Sequence, residues 1–341
     1  MKNKQLIECV PNISEGNDLT KIHEIANIVT TIKGVKLLNI DIGKAANRTV
    51  ITFIGEPKNV IDAAFLLIKK TSELIDMSIQ KGTHPRFGAT DVCPLIPIAN
   101  ISMEETVQFA HKLGEKVGKE LGISGYYYEF AALENQKKNL ASIRAGEYEG
   151  LKEKITNPNW QLDFGPKNYN EKIKKAGITA ISARNFLIAY NLNLNTTSIF
   201  IANKIAATIR ESGSLLKNDL CESVRIPGKL ASVKAIGWFL EDFGIAQVSC
   251  NLTNYNINSM HQVFYEATKI ATELGAKITG SELIGLVPLK AMIDAADFFL
   301  ALENKSTEIS EMEKVTIAIQ KLGLNDVKPF HPKERIIEYV I

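Results

Sequence analysis

From Gly177 to Leu283 the hydrophobic periodicities arrive in an order that few folds can accept. An apolar run, "GITAISARNFLIAYNLNL", reads as a strand, and a helical pattern follows from Thr197 to Glu211. The strands "VKAIGWFLED" and "IAQVSCNL" come next, then a helical pattern from Ser259 to Leu274, then the strand "AKITGSEL". Strand, helix, strand, strand, helix, strand is the split unit of ferredoxin-like folds. A helical pattern, "LKAMIDAADFFLALE", and a mixed tail ending "KERIIEYVI" complete the chain.

The first half can be read the same way. A strand over residues 5–12 leads through the polar turn "SEGNDLT" into a helix from Leu19 to Ile32, with Asp18 as its cap. Strands "GVKLLNIDIG" and "NRTVITFIG" flank a turn near Lys44 and Ala45, and Pro57 opens a strongly periodic helix over "NVIDAAFLLIKKTSELIDMSIQK". The strand "DVCPLIPI" holds Pro94 and Pro97, which cannot donate ladder bonds, so it is expected at a sheet edge or at a bulge. "SMEETVQFAHKLGEKVGKEL" is a further helix, and Glu105 three residues after Ser102 makes a capping box. From Leu140 to Pro166 the periodicity fades among Gly146, Gly150, Pro158, Gly165 and Pro166, and this stretch reads as a connector. The expected class is therefore α+β: two ferredoxin-like α/β sandwich subdomains with mainly antiparallel sheets, over residues 1–176 and 177–341.

Length and charge narrow the function classes. A chain of 341 residues that is 45% hydrophobic can fill two cores. Forty basic side chains against 38 acidic ones leave no global field to attract nucleic acid or an anionic membrane, so recognition of an acidic ligand must be local. No apolar run approaches the roughly 20 residues that span a bilayer, and "MKNKQLIECVPNISEG" lacks the apolar core of a secretory signal, so a cytoplasmic protein is expected. Cys9, Cys93, Cys221 and Cys250 form no CxxC pair and read as reduced and mostly buried.

The chemistry concentrates in "KGTHPRFGATDVCPLIPI", residues 81–98. Pro85 pushes His84 toward extended geometry, so His84 and Arg86 project to the same side. An imidazole can take and return a proton, and a guanidinium beside it can fork onto a carboxylate. The plainer alternative has His84 filling a turn and Arg86 in solvent. In "NIDIGKAANRTV", Asp41 ends an apolar strand, where it either serves His84 or a cation, or caps a turn; Asn47 and Arg48 read as closing that turn. His23, His111, His261 and His331 read as structural or surface residues. No HExxH, HxH or cysteine pair occurs, so no metal site is expected, although Asp41, His84 and Asp91 could together hold an ion. Gly165 and Gly177 bracket a lysine-bearing loop, "GPKNYNEKIKKAG", that is either solvated or drawn to a carboxylate or phosphate.

These residues sit in blocks with a wider pattern. "ECVPNISEG", "LLNIDIGKAANRTVITFIGEP", "HPRFGATDVCPLIPI", "RAGEYEGL", "DFGP", "ARNFLIAYNLNL", "IGWFLED" with "AQVSCNL", and "GSELIGLVPLKAMIDAA" together resemble the glutamate formimidoyltransferase (formiminotransferase) family. The blocks run in order from residue 8 to the C-terminal "PKERIIEYVI". The resemblance implies transfer of a formimidoyl group between N-formimidoyl-L-glutamate and tetrahydrofolate, a late step of histidine breakdown. It implies two ferredoxin-like subdomains with folate between them, and a homodimer with no nucleic-acid or membrane partner. It also implies His84 as general acid and base with Asp41 in support; the chemistry of the transfer adds Asp91 behind Asp41 and Arg86 as a clamp for a substrate carboxylate. Folate contacts would come from Gly165, Pro166, Lys167, Asn168, Tyr169 and Gly177, in a loop longer and richer in lysine than the family's usual segment. Tetrahydrofolate enters as co-substrate. The chain stops at Ile341, so no cyclodeaminase activity is expected. The alternatives are a homologue handling formylglutamate or 5-formyltetrahydrofolate, a non-catalytic folate binder, and a metal hydrolase.

Overall fold

In the computed structural model, which describes residues 4–44, 46–217 and 223–340, the chain divides between Asn185 and Phe186 into two units. The first opens with β1 (Leu6–Cys9), β2 (Asn12–Ile13), α1 (Leu19–Asn27), β3 (Val35–Gly43), β4 (Arg48–Gly55), α2 (Pro57–Leu74) and β5 (Thr90–Ala99). The strands lie in the order β3, β4, β1 with β2, β5, all antiparallel. That is the ferredoxin-like arrangement, with its first strand interrupted at Val10 and Pro11. Beyond it come α3 (Met103–Lys116), β6 (Gly125–Glu129), α4 (Leu140–Arg144), α5 (Leu151–Thr156), α6 (Glu171–Ala176) and β7 (Thr179–Ala183). Strand β7 pairs in parallel with both β5 and β6 and widens the sheet.

The helix ends follow from local chemistry. Asp18 accepts from the Lys21 amide at the start of α1, and Ser102 and Glu105 close the capping box of α3. Helix α2 stops at Leu74, short of the expected Lys81. Just beyond it Asp76 takes the amide and hydroxyl of Ser78, a turn that competes with the helix.

Strand β5 corrects one expectation and supports its alternative. It is not an edge strand, because β1 and β2 flank it on one side and β7 on the other. It is bulged: Asn12 and Ile13 pair with Val92 and Thr90, which leaves Asp91 as the extra residue. Pro94 offers its carbonyl to Val10 N, so its missing N–H faces the gap between β1 and β2. Alternation turns Pro97 toward the β7 side, past the last pairing there, Leu95 with Ala183.

Residues 140–166 are not a connector. Helices α4 and α5 cover the second face of the sheet, where Ile143, Leu151, Ile155 and Leu162 form a core with Val92, Tyr126, Tyr128 and Ala180. The larger core, with Ile7, Cys9, Ile51, Phe53, Leu95 and Leu113, lies on the α1–α3 face. Helices of 5 and 6 residues are too short to print a 3.6-residue period, which is why the stretch read as loop. The run expected as one strand over 177–194 is two strands of different sheets, broken over residues 184–187. The division therefore falls at 185 and 186, not at 176 and 177, because β7 belongs to the first sheet. Strands buried on both faces give continuous apolar runs, so hydrophobicity does not mark the break.

The second unit holds β8 (Ile188–Leu194), α7 (Ile199–Ile209), β9 (Ser214–Lys217), β10 (Ser223–Ile226), β11 (Val233–Leu240), β12 (Ile245–Leu252), α8 (Met260–Glu273) and β13 (Ile278–Ile284). Its sheet runs β11, β12, β8, β13, all antiparallel, as the split unit requires. Strands β9 and β10 form a separate hairpin. Helices α9 (Leu289–Leu302), α10 (Glu311–Leu322), α11 (Pro332–Arg335) and α12 (Ile337–Val340) follow. Its core joins Tyr190, Leu192, Ile205, Val248, Val263, Met292 and Val315. Cys9, Cys93 and Cys250 are free and buried, while Cys221 and the expected turn residue Ala45 lie outside the described residues. Among the described residues no helix is long and apolar enough to cross a membrane.

Candidate functional site

Three distant segments meet at one end of the first sheet. Asn47 takes a left-handed φ of 47°, accepts from Gly16 N at 2.8 Å and donates from Nδ2 to the Lys81 carbonyl at 2.5 Å. A Cβ on Gly16 would stand 2.6 Å from Arg48 N and from Gly43 O, so only glycine fits under that turn. Ser14 Oγ donates to the Gly88 carbonyl at 2.8 Å. The segment before α1, the β3–β4 turn and the 81–91 segment are thus bound into one corner. Strand alternation sets what that corner displays. Ile51 and Phe53 point into the larger core, so Arg48 and Val50 point to the opposite face; Asn12 and Asp41, the register partners of Val50 on either side, share it.

At the centre is Asp91, the bulged residue of β5, fully buried. Its Oδ2 accepts from Arg48 Nη1 at 2.8 Å and from Arg144 Nη2 at 2.7 Å, and its Oδ1 from the Phe87 amide at 3.0 Å. Arg48 also reaches Asn12 Oδ1 with Nε and Nη2 at 3.0 and 2.7 Å. Its Nη1 lies 3.0 Å from His84 Nδ1. The same Nδ1 is 2.8 Å from the Pro85 carbonyl oxygen. One ring nitrogen therefore faces both a donor and an acceptor: bonding to Pro85 leaves Nε2 a bare base, and accepting from Arg48 leaves Nε2 protonated. Burial first, and then the charge of Arg48, hold the half-buried His84 down to about 3, far below its ordinary value. Burial likewise brings Arg48 down to about 10. With the ring neutral, two guanidiniums share one carboxylate, and the cluster carries one positive charge in excess.

Other expected residues stand elsewhere. Arg86 does not enter this cluster. Nε donates to Gln80 Oε1 at 2.9 Å, and Nη1 and Nη2 fork onto Glu149 at 2.9 Å each. The remaining hydrogens go to Glu147 at 3.4 Å and the Gln80 carbonyl at 3.2 Å. At 6% exposure, with every donor taken by the chain itself, Arg86 ties the 144–150 loop to the 81–91 segment. The Tyr148 amide adds a bond to the Arg86 carbonyl. Asp41 lies on the Arg48 face, opposite Val50. Among the described residues no group of three His, Cys, Asp or Glu could hold a metal ion, so Asp41, His84 and Asp91 do not converge as ligands.

The stretch expected as one loop over 165–177 is a loop only to Asn170, because Asn170 caps α6 and Lys172, Lys174 and Lys175 lie on that helix; the segment is pinned at both ends. Asp163 accepts from the Tyr127 amide and from the buried Lys137, and Ser124 Oγ donates to the Pro166 carbonyl at 2.6 Å. Gly165 has a φ of 73°, and a Cβ there would stand 2.5 Å from the Ile123 carbonyl. Gly177 has a φ of 66°, and its Cβ would stand 2.2 Å from the Phe87 carbonyl. Both glycines answer to the backbone, and Gly177 is buried. Pro166, Lys167 and Asn168 are exposed and Tyr169 half-buried; Lys167 Nζ donates to the Leu162 carbonyl.

The sequence reading missed Asn12 and Arg144 and set Arg48 aside as a turn residue. The available signal was Arg48 opening a strand whose alternate positions are apolar, which places its side chain on a sheet face. Arg144 had no such signal, because it ends a helix of 5 residues. Glu8, on the same face, was also unmarked; burial pushes its carboxyl up to about 7 against the pull of Arg184.

Residues 6–184 match the family model described as "Formiminotransferase domain, N-terminal subdomain", and residues 189–341 the one described as "Formiminotransferase domain". The chain is 44% identical over 337 residues to "Formimidoyltransferase-cyclodeaminase" of Mus musculus and 43% identical to that of Dictyostelium discoideum. In each case the match takes in 99% of this chain and 60% of the relative, so the chain spans about 60% of the length of these proteins. It is 40% identical over 300 residues to "Glutamate formimidoyltransferase" of Streptococcus pyogenes serotype M1, covering 88% of this chain and 95% of that protein.

Proposed function

The chain belongs to the formiminotransferase family, and from that premise we propose that it is an enzyme moving the formimidoyl group of N-formimidoyl-L-glutamate onto tetrahydrofolate. The observation that carries the reading into the site is a neutral, half-buried imidazole held against Arg48, which shares one buried carboxylate with Arg144. Transfer needs a folate nitrogen to bond to the amidine carbon while losing a proton. The bond from that carbon to the glutamate nitrogen must then break as the nitrogen gains one. His84, with Nδ1 bonded to Pro85, offers Nε2 for the first proton and returns it in the second step. Arg48 is the positioning residue: its charge opposes the imidazolium, so the proton is handed on rather than kept.

Asp91 is saturated by Arg48, Arg144 and the Phe87 amide and cannot also face a cationic amidine. We assign that part to Asp41, on the same face of the sheet. The folate contacts are assigned to Lys167, Asn168 and Tyr169, the accessible part of the 165–177 loop, with Gly165, Pro166 and Gly177 shaping it. The same reading carries a role in histidine breakdown and a cytoplasmic homodimer. The test is transfer to tetrahydrofolate from N-formimidoyl-L-glutamate, run beside N-formyl-L-glutamate. Turnover of the formimidoyl donor that falls about 100- to 10,000-fold in a folded His84→Ala chain is expected. Turnover of the formyl donor alone, or near wild-type rates in the variant, would refute the reading.

A further inference from the structure

Arg144 carries more than a bond to Asp91 explains. Its side chain is 11% exposed, and its Nε–H is buried with no hydrogen-bond partner among the described residues. A buried donor left unpaired is costly, and so is the excess positive charge of the cluster; both costs fall when an anion arrives. Asp91 cannot supply it, since its Oδ2 already serves both arginines. We propose that Arg144, beside Arg48, binds the α-carboxylate of the donor amino acid and so selects donors that carry a carboxylate on the carbon next to the reacting nitrogen. This rests on the formimidoyl-transfer reading.

The choice of carboxylate follows from distance along the ligand. Arg48 reaches both Asp91, at 2.8 Å, and His84 Nδ1, at 3.0 Å, so an anion held by these two arginines lies beside the imidazole. In N-formimidoylglutamate the α-carboxylate is bonded to the carbon that bears the leaving nitrogen, whereas the γ-carboxylate lies two methylenes further out. The carboxylates of tetrahydrofolate sit at the opposite end of that molecule from its reacting nitrogen. A guanidinium edge offers two parallel N–H groups to a carboxylate, and the Nε–H of Arg144 is the half of such an edge still without an acceptor.

The test uses the full chain and three donors: N-formimidoyl-L-glutamate, N-formimidoyl-4-aminobutyrate, which lacks the α-carboxylate, and N-formimidoyl-2-aminobutyrate, which lacks the γ-carboxylate. For Arg144→Gln, KM and calorimetric Kd for the glutamate donor should rise about 10- to 100-fold, the range of a charge-assisted hydrogen bond. KM for tetrahydrofolate should stay put. The 2-aminobutyrate donor should lose affinity in parallel, and the 4-aminobutyrate donor should bind both proteins equally. Arg144→Lys, which keeps a charge against Asp91 but has no Nε–H, should repeat the pattern and stands in if the glutamine variant does not fold. An unchanged donor KM, or an equal penalty on all three donors, overturns the clamp alone. A wild-type protein that neither binds nor turns over any formimidoyl donor overturns the function and the clamp with it.

Discussion

His84 Nδ1 sits between an N–H of Arg48 and a carbonyl of Pro85, and burial, followed by the charge of Arg48, keeps its ring neutral. Because the folded-state value, about 3, lies below the ordinary one near 6.5, acid protonates the unfolded chain first. Stability contributed by the neutral ring is complete above about pH 6.5 and is lost as pH falls toward 3, so His84→Asn should flatten the stability loss across that window in denaturant titrations. Catalysis should report the same electrostatics. A donor carboxylate on Arg48 and Arg144 cancels the excess charge and raises the His84 pKa in the complex. The acid limb of kcat is then expected at higher pH than that of kcat/KM, and coincident limbs would break the link. Arg86 carries the opposite kind of prediction. With its donors on Gln80, Glu147 and Glu149, Arg86→Lys should cost about 1–3 kcal/mol of stability and leave the donor KM unchanged, read by chemical denaturation and kinetics together.

The elements around the site are arranged to present one face of a sheet. The bulge in β5 turns Asp91 out of the ladder, and α4 brings Arg144 to it from the layer that covers the β5–β7–β6 side. Gly177 links the second loop to the first through its contact with Phe87. Gly177→Ala would force a left-handed backbone and a carbonyl clash, at about 1–3 kcal/mol, and would displace the segment that carries His84. Thermal melting and turnover of the folded variant should both fall; a change in neither would mean the loops are not coupled. Much of this layer was legible beforehand. The caps of α1 and α3, the succession of strands and helices, and the edge-or-bulge alternative for the proline-bearing strand all follow from short-range rules. Helices α4 and α5 were not legible, since their packing partners lie far away in sequence.

For the molecule as a whole, the division at Asn185 and Phe186 separates two sets of core residues, one containing Phe53 and Leu95 and the other Tyr190 and Val248. Fragments 1–185 and 186–341, expressed separately, should each unfold cooperatively on heating. A non-cooperative melt of either fragment would show that its core is not self-sufficient. Light scattering tests the proposed homodimer directly, against a chain mass of 37.7 kDa.

By itself the sequence determined the periodicities and the blocks that identify the family. It also marked His84, because a residue before proline in a loop next to a buried strand is constrained locally. Tertiary structure alone decided which cation meets which anion. Arg86 lies two residues from His84 yet binds Glu149, while Arg48 and Arg144 arrive from 36 and 60 residues away to share Asp91, and Arg48 meets the imidazole. Hydrophobic patterns are local and periodic, so they survive in one dimension. A charge network in a buried corner depends on which face each strand shows and where chains cross, and only the folded chain brings those together.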